Sequence, residues 1–181
     1  MADTNSNIDV LVAIDSDTIL SVYGNGGSSP SSPKPVDNSY IYMIVAQDDA
    51  LSGNAGGELN ISASNGDNIR WRETTLSMNF NTSVVFAEFS TQQTSLITSP
   101  ELVGGFPPDG DVETELEPQP VQGTPPWSAK ETSTPYHFWQ ATAESPGTVT
   151  YHWVFQIFNS DGTSAGYYSW DPFITITDPT S

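Results

Sequence analysis

Cysteine is absent from the 181 residues, and two histidines and four basic side chains stand against 22 acids, for a formal charge of -18. Without thiols there is no disulfide framework, no zinc-thiolate or blue-copper centre and no cysteine nucleophile. His137 and His152 offer little for a Ser-His-Asp arrangement, and no G-x-S-x-G elbow precedes a helical segment, so no enzymatic chemistry is expected. Lys34, Arg70, Arg72 and Lys130 are too few to neutralise a run of phosphates, and the acidic excess repels nucleic acid and anionic membranes alike. No stretch reaches the ~18 uninterrupted apolar residues of a membrane helix. The N-terminal MADTNSNIDV lacks the basic and apolar regions of a signal peptide, which leads to the expectation of a cytoplasmic chain.

What is present is alternation with a period of two. Ile8, Val10, Val12 and Ile14 form one side of a half-buried strand, and Ile19 to Tyr23 reads as its prolongation after a break. Tyr40 to Ala46 is an apolar run that suits a strand buried on both faces. Leu59, Ile61 and Ala63 alternate into a turn at Asn65-Gly66-Asp67, after which Ile69 and Trp71 face one way and Arg70 and Arg72 the other. Val84 to Phe89 is another strand, with a short one expected at Leu96-Ile97. Later, Val149, Tyr151, Trp153, Phe155 and Ile157 line one face of a long strand closed by an Asn159-to-Gly162 turn, and two short strands follow, broken at Asp171-Pro172.

Residues 100–135 differ, holding eight of the 14 prolines and seven acids. Extended, polyproline-like backbone is the expectation there. The runs Gly24 to Gly27 and Gly53 to Gly57 precede no helical pattern and carry no phosphate-binding lysine, so they read as flexible turns. The whole reads as a single all-β domain, residues 1–181, an antiparallel β-sandwich of Ig-like or jelly-roll type with 100–135 as a Pro-rich acidic insertion.

Candidate sites are sparse. Asp15 and Asp17, and Asp48-Asp49, could offer hard oxygen ligands to calcium, although the EF-hand spacing is missing and a turn or helix-capping role is favoured for Asp15 and Asp17; no other cofactor is implied. Eleven of the 20 aromatics fall between Tyr136 and Phe173. An exposed Trp170 beside Asp171, with Arg72, would suit sugar recognition, the ring stacking on C–H faces and the carboxylate accepting hydroxyl hydrogen bonds.

Four phrases in order, Ile8 to Ser21 (IDVLVAIDSDTILS), Tyr40 to Val45 (YIYMIV), Gly66 to Arg72 (GDNIRWR) and Gly166 to Ile176 (GYYSWDPFITI), resemble the PixA/AidA-type bacterial inclusion body proteins. The resemblance implies a small non-enzymatic bacterial β-protein tied to cytoplasmic inclusions or to interaction with animal hosts, acting by self-association and surface binding. Only Met1, Met43 and Met78 are methionines, which departs from the methionine-rich prototype and argues against sulfur storage. The competing reading is a lectin-like module that binds host glycans, with or without calcium.

Overall fold

A computed structural model describes residues 5–104, 112–119, 128–135 and 137–177. The first half runs β1 (Asn7–Ile14), α1 (Ser16–Tyr23), β2 (Lys34–Pro35), β3 (Ile41–Ile44), β4 (Ala50–Ser52), β5 (Asn60–Ser64), β6 (Asn68–Thr75) and β7 (Thr82–Thr91). The second half runs β8 (Glu101–Gly104), β9 (Val112–Gln119), β10 (Ser128–Pro135), β11 (His137–Thr142), β12 (Gly147–Asn159), β13 (Ser164–Trp170) and β14 (Phe173–Thr177).

Two sheets face each other across one core. The first has the order β3-β1-β6-β11-β8. In the second, β12 pairs with β7 along one edge and with β13, then β14, along the other; β5 and β4 continue outward from β14, and β2 pairs with β13. The all-β sandwich of the sequence reading stands, but its pairing is mixed: β1 runs parallel to β6, β14 to β5 and β13 to β2. Alternation marks which face is apolar and carries no information about a neighbour's direction.

Three local expectations change. Asp15 leaves the strand conformation and its side chain accepts from the Thr18 amide at 3.1 Å, so Ser16–Tyr23 winds into a helix that buries Ile19 rather than prolonging β1. Tyr40 to Ala46 contributes an edge strand, with Ile41 and Met43 inward and Ile44 exposed, and not one covered on both faces. Gly26 and Gly27 are no flexible turn: their amides donate to Ala165 and Tyr167 carbonyls. A Cβ on Gly166 would lie 2.8 Å from Gly26 backbone, so two glycines are needed where these chains touch.

The proline-rich excursion contains a ribbon. Strands β9 and β10 pair antiparallel from Val112↔Pro135 to Gln119↔Ser128, following on from the β8–β11 pairing that begins at His137↔Gly104. Each strand of a two-stranded ribbon keeps one unpaired edge, which accommodates prolines that a central strand would exclude. Polyproline backbone is therefore replaced here by ladder pairing; the rest of the excursion lies outside the described residues.

The core is aromatic. Trp71 of the first sheet meets Trp153 of the second at 5.8 Å, Trp153 stacks on Phe86 at 4.5 Å, and the Trp71 indole donates to the Tyr151 hydroxyl at 3.2 Å. Burial holds the Tyr151 phenol far above its usual range. Such ring pairs contribute about 0.5–1.5 kcal/mol each beyond the area they bury.

The turn between β5 and β6 joins the sheets. Gly66 takes φ +95, and the Asp67 carboxylate accepts from the Ser6 and Ser64 amides, both at 2.8 Å. The Asp67 carbonyl also accepts from Ala143, just ahead of β12. Asp67→Ala strands two amides at a buried corner and should cost about 2–3 kcal/mol, which for a domain of this size lowers Tm by roughly 4–12 °C. Asp67→Asn, which keeps one acceptor oxygen, should lose about half as much in the same calorimetric comparison.

Candidate functional site

Strand β6 has two chemical faces because successive side chains point to opposite sides of a sheet. Ile69, Trp71, Glu73 and Thr75 face the core, and Arg70 and Arg72 face outward. On that outer face, register sets Ile44, Leu11 and Arg72 in a row across β3, β1 and β6, with Asp9 beside Arg70 one step away. The row lies in a half-open groove of about 490 Å³, lined also by Val10, Val45, Ala46 and Phe138. Arg70 Nε stands 3.4 Å from Asp9 Oδ1, and its guanidinium carbon 5.3 Å from the centre of the Phe138 ring. Asp9 is well exposed, so this ion pair contributes little to stability; its effect is to hold the guanidinium in place.

The inward residue Glu73 is the group sequence reading overlooked. Its side chain is 0% exposed. Oε1 accepts from the Phe86 amide at 3.1 Å and contacts His137 Nε2 at 2.8 Å, while Oε2 has no partner. The signal was available: counting by twos from Ile69 and Trp71 puts Glu73 inside. A carboxylate on an inward register position needs a cation, and only the fold brings His137 from β11.

The other sequence candidates separate. Trp170 is 2% exposed and packs against Phe86 and Phe155, so its ring offers no face to a sugar. Alternation from Tyr168 buries it, and the strand break at Pro172 comes too late to turn it out. Asp171 is exposed, 3.5 Å from His152 Nδ1. Arg72 lies on the far face of the first sheet, away from the core that holds Trp170, so the three residues proposed for sugar binding do not converge. Asp15 caps α1, and Asp17 Oδ1 accepts from Thr82 Oγ1 at 3.4 Å. Asp48 and Asp49 sit in a 3-10 turn, where partial burial and then the neighbouring Asp48, Asp67 and Asp9 raise the Asp49 carboxyl above its usual range. Among the described residues no group of three His, Cys, Asp or Glu side chains could hold a metal ion.

The hydrogen bond to Glu73 raises the His137 pKa above its ordinary 6.5, against opposing burial and the Arg72 charge. A folded pKa above the unfolded one adds stability that is complete below the unfolded value and fades as pH rises through the folded value. Relative to His137→Gln, the wild type should therefore be more stable by about 1–3 kcal/mol near pH 6. That gap should narrow as pH rises from 6 to 9 and the imidazole gives up its proton; urea unfolding at the two pH values measures it. A gap independent of pH would remove the charged pair from the account.

The sequence profile of the PixA inclusion body protein family matches residues 6–176. No curated protein matches the chain. Among solved structures, the crystal structure of an inclusion body protein of the PixA family from Burkholderia cenocepacia J2315 superposes with a TM-score of 0.75 at 16% identity, covering 98% of this chain and 99% of that one. At that identity the likeness is one of fold. The solution structure of amebosin overlaps with a TM-score of only 0.23 at 9% identity, over 72% of this chain and 93% of that one, too little to inform the fold. A sandwich shared over its whole length and a family profile spanning nearly every described strand agree, and the chain belongs to the PixA inclusion body protein family.

Proposed function

We propose that this protein is a non-catalytic former of cytoplasmic inclusions, in which copies associate through an apolar loop once their mutual repulsion is lowered. The loop joining β6 to β7 carries the reading. Leu76, Met78 and Phe80 are 54%, 73% and 81% exposed. Isolated apolar side chains on a surface are ordinary, but three in five residues on one tip are a patch.

The loop is also stiff. Thr75 Oγ1 accepts from the Asn79 amide at 2.9 Å, Ser77 Oγ from the Asn81 amide at 3.3 Å, and the Met78 amide donates to the Thr75 carbonyl at 2.9 Å. Met78 and Asn79 adopt φ of 52° and 62°, a left-handed conformation that is costly for methionine and persists only because these bonds over-determine it. An apolar surface held ready loses little entropy on docking.

Charge supplies the control. At -18, copies repel over distances of about a Debye length, roughly 8 Å at physiological salt. Protonating carboxylates or bridging them with divalent cations shortens that reach and lets loops meet. Light scattering should therefore rise on acidification and on addition of calcium or magnesium. The double variant Met78→Ser/Phe80→Ser keeps the wild-type charge, so isoelectric precipitation alone would leave it unchanged. Its scattering onset should move to lower pH and to about tenfold higher cation concentration. Scattering that stays flat for the wild type, or an identical onset in the variant, would defeat the proposal.

A further inference from the structure

The apolar loop and the groove on the outer face of the first sheet form a pair of surfaces that one molecule cannot bring together by itself. Alternation sets the floor of the groove. Val10 and Val45 turn into the core, so Leu11 and Ile44, each 42% exposed and directly opposite one another, face out with Ala46. Trp139 packs inward against Trp153, which puts Phe138 on the outer face, its ring 5.3 Å from the Arg70 guanidinium carbon. The space they border is about 490 Å³ and half-open. The loop lies elsewhere. It leaves β6 at the far end, where the Leu76 amide donates to the Ile14 carbonyl, and crosses to β7 in the second sheet, away from the outer face of the first.

We propose, resting on the role given to the loop above, that the groove receives the Leu76-to-Phe80 loop of a second copy of this chain. Apolar side chains on the tip and on the floor are then removed from water together. Charge favours this occupant. From Thr74 to Ala87 no side chain is charged, in a chain with 22 acids. At the base of the loop Asp17 Oδ1 accepts from Thr82 Oγ1, and the groove is where Arg70 and Arg72 reach the outer face, so a seated loop sets its neighbouring acid towards cations. With four bases in the whole chain, most other pairings set acid against acid. Neither guanidinium has to give up its present partner, because this attraction acts through the field and not through a new bond. The contact is small. A five-residue tip buries far less than the roughly 1,200 Å² of a stable pair, so a single contact is short-lived. Each copy nevertheless owns one loop and one groove, and a contact between unlike surfaces does not close on itself but adds copies end to end. Open growth from weak contacts suits an inclusion, which has no fixed number of copies.

Light scattering and sedimentation of the full chain test the contact. Leu11→Ser/Ile44→Ser keeps the wild-type charge, as the loop variant Met78→Ser/Phe80→Ser does, and changes two exposed positions, so its thermal melt should stay near wild type. Its scattering onset should move to about tenfold higher cation concentration, matching the loop variant. Mixed in equal amounts where the wild type assembles, the two variants should form a complex of two chains and stop there, because the one intact kind of loop meets the one intact kind of groove. If the groove variant melts early, Ile44→Ser alone, on an edge strand, takes its place with a smaller shift. A groove variant that assembles like wild type, or a mixture that stays monomeric, would overturn the groove as the loop's partner and leave the loop's own role standing. A loop variant that assembles like wild type would remove both.

Discussion

Trp71 and Trp153 meet between the sheets, and the rest of the molecule is arranged by that contact. Each lies on the central strand of its own sheet, β6 or β12, and each fixes the parity of its strand: once Trp71 points inward, Arg70 and Arg72 must point out and Glu73 must point in. A slip of one residue in β6 would bury two guanidiniums and expose a tryptophan. The core therefore specifies register strongly, and through register it places both the outer groove and the buried carboxylate.

The aromatic interior also carries polar groups it does not satisfy. The indole nitrogens of Trp139, Trp153 and Trp170 and one oxygen of Glu73 are buried without a hydrogen-bond partner. Each such group costs of order 1–3 kcal/mol. Large rings compensate by the area they bury and by their stacked and edge-on contacts, which lets this chain build its sandwich without disulfides. Glu73 is different, because its charge is offset by His137 and the Phe86 amide, and it ties β6 to β11 and β7 in a way apolar packing cannot.

Surface and interior have separate tasks. Acids dominate the charge of the chain, and two features of the described surface stand out against it: the loop at Leu76 to Phe80 and the arginine-bearing groove. Their separation is geometric. Arg72 and Thr75 are three residues apart on one strand, about 10 Å, and the loop continues beyond Thr75, so the loop of one molecule does not fill its own groove.

By itself the sequence determined the strands and their inward faces, because alternation of Ile8, Val10, Val12 and Ile14, or of Tyr151, Trp153, Phe155 and Ile157, is a local pattern that any sheet must honour. It determined the charge, the lack of thiol chemistry and the turn at Gly66-Asp67, and four ordered phrases carried the family. It did not determine that β1 lies parallel to β6 or that His137 reaches Glu73, since each depends on which distant segment arrives alongside. The groove belongs to the same class: Leu11, Ile44 and Arg72 are scattered along the chain and become neighbours only when three strands pair in one register, so only the tertiary structure could bring an apolar floor and two cations to one place.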